Sequence, residues 1–582
     1  MKNFIFVPVI LFIAHTTAFC QPLKVKWSAQ FEQKKGTTGV DAFFADETGC
    51  FFHTSSLKRY GFLFSNTFKL EHGFFKTGKS QNVEYEKILS DEMIDGYDFL
   101  QFIAIKNKLF LFATKFFSKQ DKFAVFASEI VKKTGDLAYP LKEVFSINDF
   151  MPFDDDKDIL SEITVQPSLD SNAIVVYQTI SKPEGDNLGL IVLDESLASL
   201  QKSFINLCST GNKYSLKSAY VTAAKKIITT GSLHVYEQTT VKKKTEWHYK
   251  SSSVNLRIHS ADGKMEKDVA VSAGDKIRDL YLQPLAGRPW LLCGFTSLAD
   301  DPDHYKGFFA ASFDLGTGVV SGYQNTVFDG NIIGKLDNGK PAKADKKKGA
   351  SEPVVEKNMG LSNLYTIQKV LYNPANAAFI LLAEEIVNST GGKISAREYK
   401  WNKTLSKMEL SYFSTVTTIM AHGNILIMKM DNAFATQWSK VLSKYQLEQI
   451  NDVTPSNGSS GTDLGQLAID GGGWPYFSSF TPFISNNQLH ILFNDIAENK
   501  NVTGIPAETY KPTGDLASSS MFDYTIDLGT NVAKRNLMYT NRGTPVAMPK
   551  YTYITGNTLY LPALTRGSLS KSDVMAGKIV LE

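Results

Sequence analysis

Cysteine is scarce: four residues in 582, at Cys20, Cys50, Cys208 and Cys293. So wide a spacing offers neither the disulfide framework that holds small exported domains together nor a metal-ligand pattern. Cys50 in Gly49-Cys50-Phe51-Phe52 and Cys293 in Leu291-Leu292-Cys293 sit inside apolar runs, where buried, inert thiols are expected. The fold must then be held by its own core, which a chain this long can build. An excess of one charge is missing too: 62 Lys and Arg stand against 59 Asp and Glu, a net charge of +3. A nearly neutral surface gives no electrostatic case for nucleic acid. The lysine triplets Lys242–Lys244 and Lys346–Lys348 lie among turn and linker residues and read as solvated loops.

Long hydrophobic runs are also absent. The apolar stretch Phe4–Ala14 covers 11 residues, against the roughly 20 that a membrane-spanning helix needs. No later segment approaches that length. Lys2 precedes the stretch and Thr16, Thr17 and Ala18 follow it, which is the layout of a secretory signal peptide over residues 1–20. Cleavage after Ala18 or after Cys20 fits, the second preferred because it leaves Gln21 first. Phe19 argues against a lipid-bearing Cys20, since that signal wants a small residue there. Loss of residues 1–20 removes Lys2 and no acidic residue, leaving a net charge of +2. The expectation is an exported chain, periplasmic, cell-surface or extracellular, without a transmembrane segment.

Catalytic signatures are missing as well. There is no Gly-x-Ser-x-Gly elbow, no His-Glu-x-x-His, no phosphate-cradling glycine loop and no complete Ca²⁺ loop. Asp154, Asp155, Asp156 and Asp158 offer the oxygen ligands that Ca²⁺ prefers but lack the glycine that turns such a loop inward. A solvated acidic turn is the first reading. Asp300, Asp301, Asp303 and His304 put carboxylates beside a histidine, raw material for acid/base work or a metal site, on an Asp-Pro-Asp that is first a turn former. Asp470-Gly471-Gly472-Gly473-Trp474-Pro475-Tyr476 joins flexible backbone to exposed-looking aromatics that suit stacking on a sugar or peptide; a long connection needs the same residues in order to turn. The nine histidines, His15 included, share no common spacing. No catalytic or cofactor-binding residue is therefore assigned, no cofactor is expected, and metal ligands are left open. Asn388, Asn402, Asn457 and Asn501 head glycosylation sequons, which matter only in a host that uses them.

What the chain does have is aromatics, 39 Phe and 24 Tyr, residues that fit the half-buried pleated surface of a sheet. Period-two alternation, a tight turn and a second alternating strand recur seven times, the pattern of an antiparallel pair. The copies begin at Gly61, Phe123, Gly189, Val254, Phe308, Asn424 and Phe522. Each follows another pair of apolar runs, as in the stretches from Tyr97, Ser161 and Phe477. Four strands per unit is the content of one propeller blade. The C-terminal runs from Tyr551, Asn557 and Gly577 supply three strands, and the segment from Lys24 to Glu32 supplies the fourth. The expected architecture is all-β: a single β-propeller over residues 21–582, of about eight four-stranded blades with seven as the alternative, the last blade closed by the N-terminal strand. Insertions are expected near residues 334–360 and 451–473, both rich in small and polar residues.

The hairpin from Met428, with Asp431 leading its turn and Trp438 following, resembles the strand pairs of quinoprotein-like propellers, more distantly those of WD40-like ones. It occurs once and lacks the usual Thr-Gly, so quinone binding is not implied. The run from His422 to Gln446, with the stretch from Leu489, is similar to a group of exported propeller-like proteins of Bacteroidetes-type bacteria that carry no assigned reaction. The resemblance implies fold and compartment. Function does not follow from fold. The expected role is non-catalytic recognition or scaffolding, with a protein or glycan held by loops on one face of a monomer. The alternative is a polysaccharide- or ester-active hydrolase or lyase with channel-facing carboxylates.

Overall fold

The computed structural model describes residues 23–581 apart from 36, 61–66, 90–92, 118–119, 121, 151–158, 183–184, 242–243, 273–275, 286–287, 299–300, 302, 329–360, 403–406, 456–475, 503–512, 514–515 and 566–570. The strands form eight antiparallel blades in chain order, each filling four positions from an inner to an outer strand. Blade 1 is Thr37–Asp46, Gly49–Tyr60, Thr67–Gly78 and Val83–Ile88; blade 2 is Asp98–Ile105, Lys108–Phe117, Lys122–Ile130 and Lys142–Ser146. In blade 3, Ile159–Leu160 and Thr164–Pro167 share the inner place beside Ile174–Lys182, Gly185–Leu193 and Ser199–Asn206. Blade 4 is Asn212–Val221, Ile227–Val241, Lys244–His259 and Met265–Val271, and blade 5 is Lys276–Gln283, Trp290–Ser297, Gly307–Asp314 and Val319–Val327. Blade 6 is Tyr365–Asn373, Ala378–Asn402, Lys407–Met430 and Thr436–Leu442, with Gln446–Pro455 added to its third strand. Blade 7 is Phe480–Ser485, Gln488–Asp495, Ser520–Asp527 and Ala533–Thr540.

Blade 8 is built from both ends of the chain. Val546–Ala547 and Tyr553–Thr555 lie innermost, then Thr558–Thr565 and Lys571–Val580, and outside them Lys26–Trp27 and Phe31–Lys35. Lys26 pairs with Lys578 and Phe31 with Val574. Between them the Ser28 amide donates to the Ala576 carbonyl at 2.8 Å, and Ser28 Oγ accepts from the Ala576 amide at 3.0 Å.

Each blade is joined to the next by its own hydrophobic cluster. Phe44 and Phe74 meet Leu109 and Leu111 between blades 1 and 2, and Phe110 and Val125 meet Ile174 and Val176 between 2 and 3. The series continues through Leu190 with Tyr214, Leu256 with Leu292, Phe295 with Leu381, Leu382 with Ile491, and Leu492 with Leu559. It closes where Val574 and Tyr560 pack on Phe52 and Phe75 of blade 1. Period two is what permits this: on Trp290–Ser297, Leu291, Cys293 and Phe295 face blade 6 while Leu292 faces blade 4. All eight residues of that strand are consequently buried. Cys50 and Cys293 are fully buried and Cys208 is partly exposed, and none of the three is in a disulfide.

The recurring hairpins are the third and fourth strands of blades 2 to 7. The first differs: residues 61–66 are outside the described residues, and the third and fourth strands of blade 1 run Thr67–Gly78 and Val83–Ile88. Aspartate fixes several of these turns by accepting from backbone amides two to four residues on. Asp194 accepts from Ser196 and Ala198, Asp314 from Thr317, Asp431 from Ala433 and Ala435, and Asp527 from Gly529 and Thr530, all at 2.7–3.0 Å. Trp438, half-buried, packs against the cluster between blades 6 and 7.

The two faces of the ring differ. Links between first and second strands and between third and fourth are mostly short turns, such as 47–48, 106–107, 486–487 and 556–557, with 131–141 of blade 2 the exception. The opposite face holds the strand ends Ser146, Ser297, Val327, Leu442, Asp495 and Thr540 and the starts of the strands that follow them, Ile159, Gly307, Tyr365, Phe480, Ser520 and Val546. It also carries the long hairpin of blade 6 and that of blade 4, which extend past their inner strands. Of the two expected insertions, 334–360 lies outside the described residues; of 451–473, residues 451–455 end the strand Gln446–Pro455 and 456–473 lie outside.

Charge is buried under that second face. Glu384 and Lys444, both fully buried, pair at 2.5 Å, and His422 Nδ1 lies 2.9 Å from Glu384. Lys444 also donates to Gln446 Oε1, which accepts the Ser479 amide; Arg535 pairs with Asp495 at 2.7 Å. Burial alone would raise the Glu384 carboxyl, but Lys444 and His422 outweigh it and hold it down at about 2. Burial also makes the Lys444 ammonium easier to deprotonate than a free lysine, with Glu384 opposing. Glu384 therefore stabilises the fold above its ordinary range near pH 4.5, and this is lost as pH falls toward 2. Glu384→Gln leaves a buried ammonium unpaired and is expected to cost about 3–5 kcal/mol in denaturant unfolding; a loss under about 1 kcal/mol, the scale of an exposed pair, would refute the pair's structural role. A chain starting at residue 36 bares the Lys571–Val580 edge and is expected to associate or unfold at lower denaturant, read by light scattering and circular dichroism.

Candidate functional site

The polar constellation with the most chemical content lies on blade 1. Asp41 on the inner strand faces His53 on the second, and His72 on the third stands opposite Ser55, diagonal to His53. All three side chains project from one side of the sheet, toward blade 2. Asp41 Oδ1 lies 2.8 Å from His53 Nδ1, and His53 Nε2 lies 3.0 Å from His72 Nδ1. Phe99 of blade 2 stacks on His53 with ring centroids 4.9 Å apart and lies tilted against His72 at 4.6 Å. Phe43 and Phe102 stack beside them at 4.3 Å.

These groups line a cleft of about 760 Å³ among the inner strands of blades 1 to 3, with Gln101, Phe123, Glu162 and Gln178. Leu160 and Glu162 come from the stretch that enters blade 3, so the cleft sits toward the face of long connections. Gln178 is 2% exposed; its Nε2 donates to the Ser161 carbonyl at 2.8 Å, and its Oε1 has no partner among the described residues. Ser161 Oγ is engaged, accepting from the Thr179 amide at 2.9 Å.

The chain of contacts sets the proton positions. Burial, and then the neighbouring His53, push the His72 imidazolium down to about 3. The proton direction along these contacts follows the tautomer of His53: with its Nδ1 proton on Asp41 and Nε2 bare, Nε2 accepts from His72 Nδ1, and with a proton on both nitrogens the direction reverses. The arrangement can accept a hydrogen bond, or a proton relayed toward Asp41. Among the described residues no group of three His, Cys, Asp or Glu is arranged to hold a metal ion.

A second recess, of about 710 Å³, lies under the blade 4 hairpin and is lined by Asn206, Cys208, Gly211, Lys213, Tyr236 and Trp247. Trp247 and Tyr249 stand out from that hairpin, 48% and 56% exposed.

The residues singled out in the sequence are distributed differently. Asp154–Asp158, Asp300 and Asp470–Pro475 lie outside the described residues. Asp301 accepts from His304 Nδ1 at 2.9 Å and pairs with Lys306 at 3.1 Å, which, with His304 first, holds its carboxyl below the ordinary range. These are neighbours on one blade 5 connection, with His304 42% exposed, in an ion pair that leads into no cleft described above. Tyr476, exposed-looking in the sequence, is fully buried in the cluster between blades 8 and 1, because the Glu448 carboxylate fixes the backbone amides of Tyr476, Phe477 and Ser478 and turns the ring inward. Asn388 and Asn501 are exposed.

No protein-family model and no curated protein matches the chain. Solved structures resemble it weakly. The β-propeller domain of the Trilobed protease from Pyrococcus furiosus is 10% identical, covering 65% of this chain and 95% of its own, with a TM-score of 0.28. The Synechocystis apocarotenoid oxygenase is 10% identical over 90% and 95%, at 0.31, and the Bombyx mori GH32 β-fructofuranosidase BmSUC1 is 8% identical over 95% and 92%, at 0.22. At such scores they carry no argument about activity, and the propeller rests on the eight blades and their closure. No helix among the described residues is long and apolar enough to cross a membrane.

The lowered His72 value has a checkable consequence. A base whose folded value lies below its usual 6.5 takes up its proton in the unfolded chain first, so it costs stability as pH falls from 6.5 toward 3. The His72 ring resonances should stay unshifted from about pH 8 to about pH 4, and His72→Phe should flatten the acid side of the stability curve; a ring titrating near 6.5 would refute the burial argument.

Proposed function

We propose that the chain is an exported, monomeric recognition propeller of bacterial type, which loses residues 1–20 and holds a protein or glycan on one face without chemically changing it. One observation carries this reading: the projecting hairpins of blades 4 and 6 and the aromatic cleft of blades 1 to 3 belong to the face where the widest gaps between strands fall, while the other carries mostly short turns. Binding surfaces are commonly assembled this way, from variable loops on a rigid scaffold. Exposed Trp247 and Tyr249 add the amphipathic rings that favour such contacts. The cleft's serine is already engaged, and neither a thiol nor a metal cluster of the described residues joins it.

A second reading, a hydrolase or lyase, is favoured by the Asp41–His53–His72 contacts alone, which have the form of an oriented base. Screening of the purified chain on oligosaccharide and peptide arrays separates the two. Recognition predicts retention of an intact ligand, weakened by Trp247→Ala or Phe102→Ala and unchanged by Asp262→Asn in a turn of the opposite face. Turnover of ester or glycoside substrates that His53→Ala abolishes would establish the enzyme instead.

A further inference from the structure

We infer that the cleft of blades 1 to 3 is a seat for an ammonium group, and that the partner held on this face docks there by a lysine side chain. The inference rests on the recognition reading and specifies the chemistry of its deepest contact. The cleft wall carries two carboxylates, Asp41 and Glu162, and no lysine or arginine among its described residues. The Asp41 side chain is 36% exposed and Glu162 is exposed, so both remain available although Asp41 also contacts His53.

The uncharged polar groups of the wall point to the same kind of ligand. Gln178 is buried with its Oε1 unpartnered among the described residues, while its Nε2 is used on the Ser161 carbonyl. An orphaned buried acceptor costs stability unless a donor reaches it. The cleft therefore offers acceptors and negative charge to an incoming group that needs only to donate. A lysine ammonium has three donors and no acceptor.

Phe43, Phe99 and Phe102 complete the fit. Their rings share the cleft wall with the carboxylates and the imidazoles, stacked at 4.3 Å for Phe43 and Phe102. Aromatic faces attract a cation and also pack the methylene stem that delivers it. A carboxylate-bearing or phosphorylated ligand would meet like charge, with no lysine or arginine among the described lining residues to receive it. A sugar without an amine would satisfy the acceptors but leave Asp41 and Glu162 without a counter-charge.

The test is calorimetric titration of the full chain with end-blocked tri-lysine, its Nε-acetylated form, tri-glutamate and a glucosamine trimer. Tri-lysine is expected to bind, and acetylation to weaken it about tenfold or more, as loss of charge-assisted hydrogen bonds predicts. Glu162→Gln, at an exposed site that leaves the fold intact by circular dichroism, should weaken tri-lysine by a similar factor. Asp262→Asn on the opposite face should not. Equal binding of the acetylated peptide, preference for tri-glutamate, binding of the glucosamine trimer alone, or indifference to Glu162→Gln would each overturn the lysine assignment. An acidic or neutral ligand whose binding Phe102→Ala removes would overturn it while leaving recognition by this face standing. Processing of tri-lysine into fragments would instead refute the recognition reading.

Discussion

The ring depends on the pairing of Lys571–Val580 with strands from the other end of the chain. Eight sheets that each bury both faces against neighbours cannot stop at a free end, because a final sheet would leave one hydrophobic face and one row of backbone groups in water. Here the outer strand of blade 8 comes from Lys26–Trp27 and Phe31–Lys35, and the inner three positions come from the C-terminal segment. Contacts across the junction extend beyond the ladder. Trp27 packs on Tyr539 of blade 7 at 4.7 Å, and Ser572 Oγ donates to the Thr37 carbonyl at the start of blade 1. The chain's two ends thus hold three consecutive blades in register.

Closure leaves a different problem under the loop-bearing face, where connections leave the sheets and backbone groups lose their ladder partners. Buried charge is concentrated there. The Glu448 carboxylate accepts three successive amides, Tyr476 to Ser478, and Gln446 accepts the next, at Ser479. Asn494 donates to the carbonyls of Phe477 and Ala547, linking blade 7 to blade 8. The Glu384–Lys444 and Asp495–Arg535 pairs stand in the same region. Buried ions of this kind are weak contributors to net stability when intact and costly when broken. Their effect is to fix one path for long connections that hydrophobic contacts alone would leave under-determined.

This explains which parts of the molecule are legible in the sequence. Alternation and Asp-led turns identify strand pairs because the causes are local: Asp194, Asp314, Asp431 and Asp527 bind amides a few residues on. The shared blade is legible because the C-terminal strands fall one short of a unit. The cleft is not. From the two-residue turn between Asp46 and Gly49, simple register would set Asp41 opposite Thr54. A bulge between Ala42 and Phe44 shifts it by one, to His53. His72 joins from a third strand whose approach runs through residues 61–66, and Phe99 from another blade. Tyr476 misleads for the converse reason: its glycine-rich approach looks solvent-facing, whereas Glu448, 28 residues earlier, holds its backbone inward.

The same bulge bears on function. A regular Thr37–Asp46 strand would place Asp41 and His53 on opposite faces of blade 1, so that no carboxylate would orient the histidine. The inserted residue brings Asp41 onto the face turned to blade 2, and Phe43, within the irregular stretch, lines the cleft. Bulges are local departures that re-aim side chains. A ring needed only as a scaffold gains nothing from placing a carboxylate, two imidazoles and a buried amide whose oxygen has no partner among the described residues around one aromatic cleft, since apolar packing like that of Phe52 and Phe75 would serve the blade seam at lower cost. The polar lining is therefore what supports the proposed reading, in which a ligand enters from the loop-bearing face.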